Sequence, residues 1–262
     1  MSSGENTLLA VERQRIILDI LRREGVVRNA ELRELLNVSL VTIRSDLREL
    51  EKSGECEIIW GGAVSVRPPT DSEVRLEQRS KLNPNIKQRI GAAAAGLIEV
   101  GQTIIVDAGT TTVELIHHLP HDLEYLRVVT PALNVAVATT HYPDIEVVMP
   151  GGVLRNLTRS LFGPQTLRAL EMFNADWTFL ATGGFTVERG VTTSNILEVE
   201  VKRTMVKQAN RVVLLSDSTK FGRILSLKVA DMSEIHTLIT DNKLSDSDVQ
   251  AVETCGVRVL RV

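Results

Sequence analysis

Residues 38–47 read Val-Ser-Leu-Val-Thr-Ile-Arg-Ser-Asp-Leu, and this stretch decides the architecture of the first part of the chain. Ser39 is placed to cap a helix that runs to Ser53-Gly54. At 100° per residue, with Val41 at zero, Leu50, Ile43, Leu47 and Leu40 fall between about 180° and 260°, one continuous apolar face. Arg48, Lys52 and Ser45 fall within about 40° of Val41, and Arg44 about 60° away, so basic residues gather opposite that face. Asp46 and Glu49 are expected on the flank, at about 80–140°.

The pattern extends outward in both directions. Upstream, Asn29 can cap a short helix carrying Leu32, Leu35 and Leu36, which Asn37-Val38 turns into the next one. Before it, Val11, Ile16, Ile17, Ile20 and Leu21 form a helical stripe that stops at Gly25. Downstream, Cys56-Glu57-Ile58-Ile59-Trp60 reads as a strand, Gly61-Gly62 as a turn able to take positive φ, and residues 63–66 as the returning strand. Two helices joined by a tight turn and followed directly by a hairpin are a winged helix-turn-helix.

Charge alone argues against a nucleic-acid partner. Residues 1–66 hold nine Lys or Arg against eleven Asp or Glu, and the whole chain of 262 residues has a net charge of −3. A DNA-contacting surface therefore has to come from the placement of charges, and the wheel of the third helix supplies that placement. Two cysteines, Cys56 and Cys255, lie too far apart in sequence for a metal-ligand spacing or a disulfide framework. Residues 1–6 lack a basic start and apolar run, and the alanine-rich stretch 91–98 is too short to span a membrane, so a cytoplasmic location without membrane contact is expected. His117, His118, His121 and His141 have no metal-ligand pattern, and no nucleophile motif surrounds any serine; neither metal, cofactor nor catalytic residue is expected.

Arg67-Pro68-Pro69-Thr70 breaks the pattern, a charged helix is expected over about 72–81, and Asn83-Pro84-Asn85 interrupts again. The expected organisation is a DNA-binding domain at 1–66, a linker at 67–84, and an effector-binding and oligomerisation domain at 85–262. In the last part, strands are predicted at 103–106, 126–129, 145–149, 177–181, 212–215, 235–240 and 257–260. Helices are predicted at 112–119, 132–139, 165–173, 196–208 and 246–253. This alternation, with an aromatic content of only 3%, predicts a largely parallel α/β sheet covered on both faces.

In such sheets ligands sit at the carboxyl ends of the strands. Asp107-Ala108-Gly109-Thr110-Thr111-Thr112 leads from the first predicted strand into a helix, offering backbone N–H groups and hydroxyls to an anion. It lacks the glycine-lysine and dinucleotide glycine patterns, which disfavours ATP and NAD. Thr130 starts the second strand-end loop, and Pro150-Gly151-Gly152 with Arg155 forms the third. Thr182-Gly183-Gly184 follows the fourth strand, and Ser216-Asp217-Ser218-Thr219-Lys220 the fifth. Arg155 and Lys220 supply cations, while Asp107, Asp217 and Glu198 can bind hydroxyls, a set that suits a phosphorylated polyol.

Residues 38–47, with Gly54 and Trp60-Gly61-Gly62-Ala63, resemble the DeoR-type regulator signature, V-S-x-x-T-I-R-R-D-L followed by a wing ending in H-G-G-A. Ser45 stands in place of the second arginine of the pattern, and Trp60 in place of its histidine. The second half is similar to the family's effector domain through Asp107-Ala108-Gly109-Thr110-Thr111-Thr112, Gly151-Gly152-Val153-Leu154-Arg155 and Ser216-Asp217-Ser218-Thr219-Lys220-Phe221-Gly222. Thr130-Pro131 replaces the usual Thr-Asn, so an amide is absent there.

The resemblance implies sugar-phosphate binding and a fold related to ribose-5-phosphate isomerase. The chain is then expected to be a regulator, in most members a repressor, of carbohydrate genes, binding a double-stranded operator as a homodimer or homotetramer under control of a phosphorylated sugar. The third helix would enter the major groove, with Val41, Arg44, Ser45 and Arg48 toward base edges and Ser39, Thr42 and Lys52 toward phosphates. Asp107, Gly109, Thr110, Thr111, Thr112, Thr130, Gly152, Arg155, Gly183, Glu198, Asp217 and Lys220 are the candidate effector-binding residues. The alternative is a sugar-phosphate isomerase with Asp107, Asp217 or Lys220 as acid/base groups.

Overall fold

A computed structural model describes residues 9–24, 26–59, 61–65 and 76–262. The chain divides into two compact units, Met1–Val74 and Arg75–Val262. The Pro68-Pro69 break, Trp60 and the start of the charged helix expected over 72–81 lie outside the described residues; that helix is seen as Leu76–Ser80.

In the first unit, α1 (Ala10–Glu24) leads into a short strand β1 (Val26–Arg28), then α2 (Asn29–Leu36), α3 (Leu40–Lys52), β2 (Cys56–Ile59) and β3 (Gly62–Ser65). Asn37 closes α2 in the left-handed conformation, and the Ser39 hydroxyl accepts the Thr42 N–H to cap α3, as its position predicts. Ile17, Leu21, Leu32, Leu36, Ile43, Leu47 and Leu50 form the core. Three apolar residues expected in it are exposed instead: Val11, Leu35 and Leu40. A helical wheel gives a side chain's direction but not whether a neighbour lies there, and Leu40 opens its helix at the margin of the packed layer.

Asn29 does not cap α2. Arg28 holds the cap position, the Asn29 N–H is bonded to the Gly61 carbonyl, and its side-chain oxygen is buried without a partner. The cause is β1, which sequence periodicity missed because it is only three residues long. It pairs antiparallel with β3, and its end fixes where the helix starts. At Gly62 a Cβ would come within 1.9 Å of the Val27 carbonyl oxygen, so the hairpin joins β1 only through a residue without a side chain.

The second unit begins with α4 (Leu76–Ser80) and α5 (Pro84–Ala95), the latter unforeseen because its alanine-rich end carries little amphipathic contrast. There follow β4 (Thr103–Val106), α6 (Thr112–His117), β5 (Leu126–Val129), α7 (Leu133–Thr139), β6 (Ile145–Val148), the hairpin β7 (Val153–Arg155) and β8 (Ser160–Phe162), and α8 (Pro164–Leu170). The chain continues through β9 (Ala175–Ala181), β10 (Gly184–Thr186), β11 (Gly190–Thr193), α9 (Ile196–Lys207), β12 (Ala209–Leu215), β13 (Leu227–Ala230), β14 (Thr237–Thr240), α10 (Asp246–Glu253) and β15 (Arg258–Arg261). Among the described residues no helix is long and apolar enough to cross a membrane.

Seven strands make one parallel sheet in the order β15-β14-β12-β9-β4-β5-β6. Successive strand residues feed opposite faces. Ile104, Val106, Val128 and Phe179 pack under α5, α6 and α7, whereas Ile105 and Val129 pack with Leu170 of α8 and Met205 of α9. A small antiparallel sheet, β10-β11-β13, and the β7–β8 hairpin complete the unit. These strands of three or four residues carry too little alternation to be read from sequence.

From β4 the chain steps outward to β5 and β6, then returns to lay β9 on the other side of β4 and continues through β12, β14 and β15. The direction of winding therefore reverses between β4 and β9. Adjacent connections leave the sheet on opposite faces there, the place where open α/β sheets generally bind ligands.

Candidate functional site

In the first unit the outward face of α3 carries Val41, 76% exposed, with Arg44, Ser45 and Arg48 also exposed and Thr42 half-buried beside the Ser39 cap. Asp46, expected on the flank among these charges, is 3% exposed. Arg13 of α1 holds it with two bonds, Nε to Oδ2 at 2.8 Å and Nη2 to Oδ1 at 3.2 Å, and the Gln14 amide adds a third at 3.4 Å. The wheel places Asp46 next to the apolar sector, close enough for α1 to draw it in. This pair takes one negative charge off the exposed face and fixes the rotation of α3 against α1.

The other acids of α3 are also engaged. Lys52 and Glu49 form an exposed ion pair at 2.7 Å, and Glu51 accepts the Ile58 N–H of the hairpin. Arg44 and Arg48 thus stand out as the cations of a surface built from a helix and a two-stranded wing.

In the second unit the candidate residues gather at the carboxyl edge of the parallel sheet. Asp107, one residue beyond β4, is 2% exposed and stitches the reversal point closed: its Oδ2 accepts the Ala181 N–H at the end of β9, and its own N–H donates to Phe179. The Lys202 ammonium of α9 bonds both Asp107 and the Ala181 carbonyl. At Gly109 a Cβ would lie 2.8 Å from the Ala181 Cβ, so the loop can hug β9 only with glycine there. Thr110 and Thr111 are buried beside it; the Thr112 hydroxyl donates to the Asp107 carbonyl and the Thr130 hydroxyl to the Val106 carbonyl.

The helix after this loop, α6, is only six residues long and its cap residue makes no side-chain bond. A macrodipole sums aligned peptide units, so the anion attraction expected of this helix start is small. Charge for an anion has to come from side chains.

The neighbouring loops lean on this point. The β7–β8 hairpin, which carries Gly152 before it and Arg155 within it, is tied to the second loop by Leu161 N–H to the Pro131 carbonyl and Leu133 N–H to the Arg159 carbonyl. Pro131 thus serves through its carbonyl, and the amide absent there is offered one turn later by Asn134, whose Nδ2 donates to the Gly109 carbonyl. Gly183 follows β9, and Glu198 in the first turn of α9 accepts the Thr193 hydroxyl. Beyond β12, Asp217 caps a single 3-10 turn that contains Lys220, and Asp241 beyond β14 accepts both the N–H and the hydroxyl of Ser218. Burial, the largest influence on the Asp241 carboxyl, pushes its pKa up, but the hydrogen bonds from Ser218 and Lys243 outweigh it and hold it below the ordinary value.

Buried polar atoms without partners mark the same edge: Asn134 Oδ1, Arg155 Nη1, Asn195 Nδ2 at the start of α9, and Thr240 Oγ1 at the end of β14. Buried polar groups are ordinarily hydrogen-bonded, so such a group is owed an acceptor or donor by something else.

Sequence reasoning missed Lys202, Asn134, Asp241 and Lys87, whereas Asn195 lies in the Thr192-Thr193-Ser194-Asn195 loop that it did single out. The two lysines did carry a signal. Lys202 lies three residues from both Val199 and Met205, and Lys87 lies three and seven residues before Ile90 and Ala94, so each interrupts an otherwise buried stripe. Lys87 is 6% exposed and donates to the Arg79 carbonyl of α4. Burial lowers its pKa from 10.5 to about 8; Arg79 and Lys220 push the same way, and Asp217 and Glu114 oppose them.

Comparisons with known proteins bear on both units. The family described as "DeoR-like helix-turn-helix domain" matches residues 13–68, and that described as "DeoR C terminal sensor domain" matches residues 82–242. The HTH-type transcriptional regulator GlpR of Haloferax volcanii is 36% identical over 97% of this chain and 98% of its own length. The HTH-type transcriptional regulator GolR of Listeria innocua is 35% identical over 95% of this chain and 97% of its own. Among solved structures, ribose 5-phosphate isomerase A of Methanocaldococcus jannaschii resembles 53% of this chain and 55% of its own, with a TM-score of 0.40 at 16% identity, a likeness too partial to argue from.

Proposed function

The chain belongs to the DeoR family of transcriptional regulators, and on that premise we propose that it represses carbohydrate genes by binding a double-stranded operator, and that a phosphorylated sugar controls this binding. The observation that carries the first half is the outward face of α3, where Arg44 and Arg48 flank Val41 and Ser45 while Asp46 is withdrawn to Arg13. Val41, Arg44, Ser45 and Arg48 face base edges, an arginine pairing with guanine and Val41 touching a thymine methyl. Ser39, Thr42 and Lys52 meet phosphates, Lys52 by exchanging its exposed partner Glu49 for a phosphate oxygen. Operators are read by paired modules, so the protein acts as a homodimer or homotetramer, in the cytoplasm.

The effector reading rests on the strand-end loops at the β4–β9 reversal. Its residues are Asp107, Gly109, Thr110, Thr111, Thr112, Thr130, Gly152, Arg155, Gly183, Glu198, Asp217 and Lys220, joined by Asn134 and Asn195. The unpartnered Arg155 Nη1, Asn134 Oδ1 and Asn195 Nδ2 are a donor, an acceptor and a donor, a combination that suits the hydroxyls and phosphate of a sugar phosphate. A catalytic role for Asp107 or Asp217 has less support. The Asp107 carboxylate is engaged by Lys202 and the Ala181 N–H, and that of Asp217 by Thr219, so neither is a free base.

The test is a gel shift with DNA from the region upstream of the protein's own gene, repeated across salt concentrations and with a panel of sugar monophosphates. Binding that weakens steeply with salt and changes with one sugar phosphate is expected. No shift at low salt defeats the regulator reading, and turnover of a sugar phosphate by the purified protein defeats the non-catalytic one.

A further inference from the structure

The wing of the first unit is not built to hold phosphates. Residues 55–66 include two glutamates and no Lys or Arg, so the hairpin has no cation of its own to offer a polyanion. What it exposes instead is apolar: Ile58 is 41% exposed and Ile59 44%. Successive strand residues point to opposite faces, so the two isoleucines lie on the two sides of one ribbon. Ile58 shares the face of Cys56 and pairs with Ala63, both buried in the core, yet is itself open to water. The hairpin has therefore run past the edge of the core by residue 58. Across from the isoleucines stand only Ala63 and Gly62, which keeps this end of the ribbon thin. Apolar residues scattered singly on a surface are ordinary, but a pair covering both sides of a projecting hairpin is not.

The hairpin is also fixed against α3. Arg44, Arg48 and Glu51 follow one another at spacings of four and three, which makes them one row along the helix. The Glu51 carboxylate accepts the Ile58 N–H at 2.9 Å, so the strand that carries the isoleucines meets α3 at the end of the arginine row. On its other side the hairpin is held by the pairing of β3 with β1 and by the Asn29 N–H, which donates to the Gly61 carbonyl.

We propose that Ile58 and Ile59 enter the minor groove of the operator beside the major-groove segment that α3 occupies, and select A·T pairs there. This rests on the reading of α3 as the DNA-facing helix. Beyond the arginine row a duplex presents a ridge of phosphates and then its neighbouring groove. Without cations the hairpin cannot grip the ridge, whereas apolar side chains are suited to the groove behind it. The floor of the minor groove differs between base pairs chiefly by the guanine 2-amino group, which A·T pairs lack. An isoleucine pressed onto that group leaves a donor without an acceptor, a penalty that A·T pairs do not carry. Sequence preference thus extends past the bases that α3 touches.

The experiment uses the full chain and DNA from the region upstream of the protein's own gene, with the bound segment mapped by footprinting and affinities read by anisotropy. Pairs flanking each half-site are replaced by G·C and, separately, by inosine·cytosine, which keeps the major groove of G·C but lacks the 2-amino group. G·C flanks should weaken wild-type binding by at least about fivefold, and inosine flanks should restore most of it. The double substitution Ile58→Ala with Ile59→Ala should abolish the difference between flanks and leave the salt dependence unchanged, because no phosphate contact is lost.

Inosine flanks that bind like G·C flanks overturn the minor-groove reading. So does a folded double variant that keeps the wild-type preference; if that variant also loses mass in solution, the isoleucines join copies of the chain instead. Should the double variant fail to fold, Ile59→Ala, on the outer face of the ribbon, and the inosine comparison on the wild type decide. Binding without any flank preference overturns the role of the wing alone, whereas no binding to any DNA at low salt defeats the reading of α3 and this proposal with it.

Discussion

Each unit contains a buried ion pair between an aspartate and a cation, and the two pairs serve opposite ends. In the first, Arg13 and Asp46 lie behind the working surface, and their closure leaves Arg44 and Arg48 facing outward. In the second, Asp107 and Lys202 join the ends of β4 and β9, at the carboxyl edge where the candidate site lies. The first unit therefore leaves its cations in water, while the second keeps a charged pair away from it. A DNA-facing helix needs rigidity behind it, and a pocket needs charge within it.

The largest effect should come from breaking the pair inside the site. Asp107→Ala strands the Lys202 ammonium and unties the ends of β4 and β9, and a loss of about 3–5 kcal/mol is expected for the second unit. Urea unfolding followed by Trp177 fluorescence in a Trp60→Phe background measures it. The double substitution Asp107→Leu with Lys202→Met should cost far less than Asp107→Ala, since it leaves no charge behind. Breaking the other pair with Asp46→Ala should cost about 3 kcal/mol, confined to the first unit, and operator binding should weaken with it because α3 loses its anchor to α1. If Asp46→Ala leaves both stability and binding unchanged, the contrast between the two pairs collapses.

Arg48→Ala and Arg44→Ala should each weaken operator binding by about 1–3 kcal/mol in an anisotropy titration while leaving the melting temperature unaltered. The arginine that reads a base should also relax preference at one operator position, and one that meets a phosphate should instead flatten the salt dependence. A smaller effect is expected from pH. The unfolded chain keeps the Lys87 proton up to its ordinary value of 10.5, whereas the folded protein releases it near 8. Between those limits the unfolded state binds more protons, so the second unit should gain stability as pH climbs from about 8 and show no such trend below it. Thermal melts between pH 7 and 10 on the wild type and Lys87→Met test this, and the trend should vanish in the variant. Smallest of all, Lys52→Ala should change stability by less than about 1 kcal/mol, because its partner Glu49 is exposed to water.

What could be read from the sequence follows the same division. The seven strands of the large sheet were legible because a parallel strand buried on both faces is a short apolar run with helices on either side. The Ser39 cap, the turn at Asn37 and the hairpin after α3 were legible because each depends on neighbours in the chain. The strands β1, β7, β8, β10, β11 and β13 were not, being three or four residues long and defined by partners far away in sequence. The candidate site was legible as a set of loops, since strand ends carry their glycines, threonines and charges in order. Lys87, Lys202 and Asn134 were not, because they reach that edge from helices. A lysine on an apolar stripe was the signal available, at 87 and again at 202, but a wheel does not say which strand end lies beyond it.

Those two lysines arrive from opposite layers. Lys87 comes from α5, packed on one face of the sheet with α6 and α7, and Lys202 from α9, packed on the other with α8. Each buried amine joins its helix to a neighbouring segment, Lys87 to α4 and Lys202 to the end of β9. Whatever disturbs Asp107 is felt by α9 through Lys202. A change at one strand end is in this way written onto a helical surface of the unit.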